Sequence, residues 1–113
     1  MRKSRLMLGL LVVAFAACGD DTFLGTGNTV NANGVTFDPA SLTVSGTDKS
    51  VTWGIFGGGP HTITFQDAVT SGPRNSGAYT RDFATDTVGT YRYRCENHSN
   101  DFLDGMVGVI VVQ

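Results

Sequence analysis

Cysteine and histidine are scarce in this 113-residue chain, with two of each, and there is one tryptophan. Two cysteines, one of them beside an N-terminal apolar stretch, cannot build the disulfide framework that staples many small exported domains. Helix-forming residues are scarcer still: from Cys18 to Gln113 there are three leucines, one lysine and one glutamate. No stretch repeats apolar residues at i, i+3, i+4 and i+7 for long enough to make a helix, which excludes an α-helical core. The longest apolar run, Leu6–Ala17, has twelve residues, short of the roughly 18 that cross a bilayer, so a permanent transmembrane anchor is not expected.

The N-terminus reads as an export signal. Met1-Arg2-Lys3-Ser4-Arg5 is basic, the apolar run follows, and small residues precede Cys18. Phe15-Ala16-Ala17-Cys18 resembles the lipobox of bacterial lipoproteins, which implies cleavage after residue 17 and acylation of Cys18. An ordinary signal, with Cys18 unmodified, is the other reading. Residues 18–33, rich in Gly, Asn, Thr and Asp, are expected to be a flexible tether whose last residues can make a first strand. Residues 34–113 are then the folded domain, a single unit by length. Without the signal, five basic residues (Lys49, Arg74, Arg81, Arg92, Arg94) face ten acidic ones, a net charge of −5. So acidic a chain is a poor binder of phosphate backbones, and no nucleic-acid partner is expected.

Val and Thr together number 24 in residues 18–113, and Gly another 14, the balance of strands joined by tight turns. Alternation is visible at Val51/Trp53/Ile55, at His61/Ile63/Phe65 and at Tyr91/Tyr93/Cys95. Met106–Val112 is apolar on both faces, as a central or well-covered strand would be. Turn signals lie at Asp38-Pro39, Ser45–Asp48, Gly57–Pro60, Ser71–Pro73 and Val88-Gly89. Strands are expected near 30–37, 41–45, 50–56, 61–66, 78–84, 89–95 and 106–112. Seven to eight short strands at this spacing predict an all-β Greek-key β-sandwich or barrel with antiparallel pairing.

The remaining chemistry sits in few residues: His61, His98, Met106 and Cys95. A lone thiol in an oxidising compartment needs burial or a metal. Cys95 ends a strand, His98 follows after two residues, and Met106 after seven more opens the last strand. His61 opens another strand after the Gly-Gly-Gly-Pro turn. Singly, each is more often core or solvated loop. Jointly they make two imidazoles, a thiolate and a weak thioether, the donor set of a blue-copper site. Soft sulfur suits Cu(I), imidazole suits Cu(II), and a fixed compromise serves one-electron transfer. Zinc is the rival ion, though a thioether argues against it.

At these residues the chain resembles the plastocyanin/azurin-like cupredoxins. The likeness runs from about Val35 to Gln113 and rests on Phe37-Asp38-Pro39, Leu42-Thr43-Val44, Val51-Thr52-Trp53 and Pro60-His61-Thr62-Ile63. It continues in Gly89–Cys95, Cys95-x2-His98 and Gly105-Met106-Val107-Gly108. The resemblance implies one copper ion with His61, Cys95 and His98 as equatorial ligands and Met106 as the axial one. It also implies electron exchange through the outer edge of His98, with Phe102, Leu103 and glycines 57–59 as an apolar docking rim. Three features depart from the pattern: seven residues between His98 and Met106 where plastocyanins place four, Asn97 where a Pro often stands, and Glu96 where a small hydroxyl or amide residue often stands. A carboxylate at Glu96 favours the oxidised ion and lowers the potential.

The function expected is that of a monomeric, membrane-tethered electron carrier, exported to the periplasm or cell surface. Glu96, Asp101 and Asp104 would steer a cationic redox partner such as a c-type cytochrome or an oxidase. The alternative is a copper carrier or buffer delivering copper to another exported protein. Catalysis by further coppers would need further histidines, so no enzyme is expected.

Overall fold

The computed structural model describes residues 28–113; the export signal, Cys18 and tether residues 18–27 lie outside them. The described chain forms eight strands: β1 Thr29–Asn33, β2 Thr36–Asp38, β3 Ser41–Val44, β4 Ser50–Gly57, β5 Thr64–Phe65, β6 Gly77–Asp82, β7 Gly89–Arg94 and β8 Val107–Val112. They make two four-stranded sheets, ordered β2-β1-β4-β6 and β3-β8-β7-β5, so the expected all-β sandwich is what forms. The first strand takes the last residues of the expected tether, because Val30 and Ala32 find cover in the core. The single strand expected at 30–37 is instead a hairpin of β1 and β2, registered Asn31 to Asp38.

Pairing departs from the antiparallel expectation in two places. Strand β1 runs parallel to β4, with Val30 opposite Trp53, and β3 runs parallel to β8, with Leu42 opposite Ile110. Both pairings join strands separated by intervening chain, as parallel neighbours require. The 61–66 strand is also shorter than expected. His61 exchanges backbone hydrogen bonds with Arg74 at 2.8 Å in each direction, and the Ser71 amide donates to the Ile63 carbonyl. Residues 61–63 therefore pair with the following loop, leaving Thr64 and Phe65 to β7.

The core is aromatic. Trp53 on β4 meets Tyr93 on β7 edge-to-face at 5.3 Å and Phe65 at 5.8 Å. Such pairs add about 0.5–1.5 kcal/mol beyond the burial of their area. Tyr93 packs across Gly108 of β8 so closely that a Cβ there would overlap the phenol. Neither the Tyr93 oxygen nor the Trp53 indole nitrogen meets a hydrogen-bond partner. Burial pushes the Tyr93 phenol far above its ordinary range.

One cation lies on the core side. Arg81 on β6 is 8% exposed, with its guanidinium 4.5 Å from both the Phe65 and the Phe83 ring centroids. It pairs with Asp67 through two bonds of 2.7 and 3.2 Å and with Asp86 at 3.2 Å. Burial opposes the charge on Arg81, but the two carboxylates outweigh it and raise its pKa. Arg81 in turn holds the Asp67 carboxyl below the usual carboxylate range. A carboxyl depressed by folding stabilises the fold above its unfolded pKa of about 3.9, and that contribution fades as pH falls through the folded value. Urea unfolding followed from about pH 6 downward should show the Asp67→Asn variant losing less stability on acidification than the native chain. Equal losses would show that the pair does not titrate as described.

Candidate metal centre

The strands deliver the chemistry-bearing residues to one end of the sandwich. Strand β4 runs out at Gly57, and the turn Gly57–Pro60 brings the chain back to His61. Cys95 follows directly on the end of β7, and Met106 immediately precedes β8. The glycine turn packs against the β1–β2 turn, where Gly34 donates to the Gly57 carbonyl at 3.3 Å. Gly58 takes φ +71, and a Cβ on it would lie 2.5 Å from the Gly34 oxygen. A side chain there would push the two turns apart and move Gly57 with them.

Three donor atoms meet at this end. Cys95 Sγ lies 3.6 Å from His61 Nδ1 and 3.4 Å from His98 Nδ1. The ligand atoms of His61, Cys95 and His98 all fall within 4.8 Å of one another, the one such group among the described residues. Metal bonds of about 2.0 Å to nitrogen and 2.3 Å to sulfur, opened to about 110–120°, need nitrogen–sulfur separations of roughly 3.5–3.7 Å. The donors thus stand close to the spacing an ion would hold. His61 and Cys95 are wholly buried, and His98 is half-buried.

The imidazole of His61 is oriented from behind. Its Nε2 lies 2.5 Å from the Gly57 carbonyl oxygen. A carbonyl only accepts, so Nε2 carries the proton and Nδ1 turns a bare lone pair toward the sulfur. The sulfur itself accepts from the Thr62 amide at 3.4 Å. Thr62 also accepts, through its hydroxyl, the Glu96 amide at 2.8 Å, so one residue beside His61 grips both residues at the end of β7. Nothing in the sequence pointed to this beyond the threonine's position next to His61.

The loop from His98 to Met106 is closed at its base. The Cys95 amide donates to the Met106 carbonyl at 2.9 Å, and the Met106 amide to the His98 carbonyl at 3.1 Å. Met106 is 1% exposed, so the residue expected as the axial ligand is buried at the foot of the loop and bonded through its backbone to two of the three clustered residues. Gly105 turns the chain there at φ +87, and a Cβ on it would lie 2.6 Å from the His98 oxygen. At the tip, Asp101 accepts the amides of Leu103 and Asp104 at 2.8 and 2.9 Å. Those bonds hold its carboxyl below the usual range. Glu96 is exposed and accepts the Thr64 hydroxyl at 2.6 Å, so its charge is tied to the surface of β5. Leu103 is 70% exposed, and Phe102, half-buried, lies under Arg94 at 5.4 Å.

Known proteins resemble this chain. No family model matches the chain. It is 36% identical over 96 residues to the chloroplastic plastocyanin of Tetradesmus obliquus, covering 74% of this chain and 62% of that protein. It is 34% identical over 94 residues to the plastocyanin of Scenedesmus fuscus, covering 74% of this chain and 92% of that one. Among solved structures, an oxidised amicyanin mutant superposes with a TM-score of 0.63 at 24% identity, over 76% of this chain and 81% of the other. The Cu(I) form of another amicyanin mutant gives 0.62 at 25% identity, with the same coverage. A buried thiol flanked by two imidazoles at one end of a two-sheet sandwich, together with this likeness over most of a whole plastocyanin, shows that the chain belongs to the plastocyanin family of cupredoxins.

Proposed function

We propose that the protein is an exported one-electron carrier, held outside the cytoplasmic membrane by an acylated Cys18, with one copper ion at His61, Cys95, His98 and Met106. The observation that carries this reading is the Cys95 sulfur standing 3.4–3.6 Å from two imidazole Nδ1 atoms in a buried frame. Copper bound there supplies a couple between Cu(I) and Cu(II). The chain supplies the constancy of the donors. His61 is aimed by Gly57, the Cys95 sulfur takes an amide hydrogen from Thr62, and Met106 is pinned by two backbone bonds. Donors that hold still between oxidation states leave little to reorganise when an electron arrives.

His98, the half-buried donor, is the point at which an electron enters or leaves. Leu103, on the loop that follows it, offers apolar surface, and the exposed carboxylates Glu96, Asp101 and Asp104 lie on the same loop. That combination suits a brief encounter with a cationic redox protein, such as a c-type cytochrome or the basic face of an oxidase, by the monomeric chain. The rival reading, copper delivery, requires a site that opens readily. The backbone closure of the His98–Met106 loop favours retention.

Added Cu(II) should turn the protein lacking residues 1–17 intensely blue. Cys95→Ser and His61→Ala should abolish the colour, while Met106→Leu should keep it and shift both spectrum and potential. A spectrum unmoved by Met106→Leu would remove Met106 from the site. Glu96→Gln deletes a negative charge one residue from the sulfur, and redox titration should find the potential raised by on the order of tens of millivolts; no change would show the Thr64-bound carboxylate to be screened. Export of the full chain should leave the protein in the membrane fraction and Cys18→Ala in the soluble one, and identical fractionation of the two would end the lipid-anchor reading.

A further inference from the structure

We propose that Asn97 is a positioning residue of the metal centre, its side-chain amide fastening the Cys95–His98 turn to the turn that carries His61. The Asn97 Nδ2 donates to the Pro60 carbonyl at 2.9 Å across 37 positions of sequence. Each partner is the peptide neighbour of an imidazole donor, Asn97 of His98 and Pro60 of His61. The bond therefore spans from the backbone beside one ring to the backbone beside the other.

Its placement differs from that of the other bonds joining these turns. Thr62 grips the Cys95 sulfur and the Glu96 amide, which fixes the β7 end of the turn. His98 is tied by its own backbone to Cys95 and Met106, so those bonds carry it along with the β7–β8 hairpin and say nothing of its distance from His61. Asn97 acts on that distance. The two rings stand with centroids 5.1 Å apart and planes at 50°, and a sliding of the His98 turn past Pro60 would change both values. Asn97 and Pro60 are both exposed, so water competes for each group and the bond contributes little to global stability. Its effect is local: it narrows the set of geometries open to the donors before any ion is present.

The inference rests on the copper reading of the same site, but part of its test needs no copper. The exported chain would be compared with Asn97→Leu, similar in size without a donor, Asn97→Asp, similar in shape with only acceptors when ionised, and Asn97→Gln, which keeps a donor. In the metal-free proteins, NMR relaxation dispersion should reveal microsecond-to-millisecond exchange at the His61 and His98 rings of the Leu and Asp variants, absent from the native chain. With copper bound, electron self-exchange should slow about tenfold in those two variants, the low end of the loss of activity that follows when the surroundings of a metal site are disturbed. Gln should recover most of the rate, and all four proteins should melt within a few degrees of one another. Native-like ring dynamics and self-exchange in either the Leu or the Asp variant would overturn the assignment. A native chain that stays colourless with Cu(II) would refute the copper reading instead, and the metal-free dispersion would still decide the role of Asn97.

Discussion

The contact on which the rest of the structure converges is the Cys95 sulfur between two imidazole nitrogens. Cys95 comes from the end of β7 in one sheet, and His61 from a turn at the end of β4 in the other. That turn leads into β5, which pairs with β7 in the same sheet with Thr64 opposite Arg94, and this crossing from one sheet to the other brings the two side chains within 3.6 Å. The Trp53, Tyr93 and Phe65 rings fill the space between the sheets just behind. Burying a thiol next to two polar rings has a desolvation cost, and the frame offsets it with partners: the Gly57 carbonyl for one imidazole and the Thr62 amide for the sulfur.

The donors are held by backbone more than by side chains. The His61–Arg74 exchange, the Cys95–Met106 bond and the Met106–His98 bond are all main-chain contacts. Main-chain contacts are indifferent to most substitutions, so much of the surface of the site can change in charge and shape without moving the donors, the link from Asn97 to Pro60 excepted. Arg81 is the opposite case, a charged side chain against the Phe65 and Phe83 rings whose place depends on Asp67 and Asp86 together. It sits on β6, away from the thiol.

Much of this was legible in the sequence, and what was not has physical reasons. Alternation placed Val51, Trp53 and Ile55 on one buried face, and the turn residues at Gly58–Pro60 and Ser45–Asp48 fell between strands as read, with Gly57 closing β4. The gathering of His61, Cys95 and His98 was expected from strand ends together with the likeness to cupredoxins, although His61 stands three residues before β5 rather than at its start. The parallel partners of β1 and β8 were not legible, because a period of two looks the same whichever way the neighbour runs. The shortening of β5 was hidden as well, since nothing in His61-Thr62-Ile63 announces that its backbone turns to Arg74 and Ser71. Arg81 on a core face runs against the rule that charges stay outside, and only the two distant carboxylates explain it. Thr62 looked like any strand threonine until its neighbours were known.

The base of the His98–Met106 loop is stitched shut, and the tip is braced by Asp101 on its own. Ser99 belongs to that stitched base, its hydroxyl donating to the Cys95 carbonyl at 2.6 Å. Residues 100–104, between Ser99 and Gly105, therefore behave as an exchangeable module, free to lengthen, shorten or change sign over evolutionary time. A lineage could retune which molecules it meets by rewriting that stretch while leaving the chemistry beneath untouched.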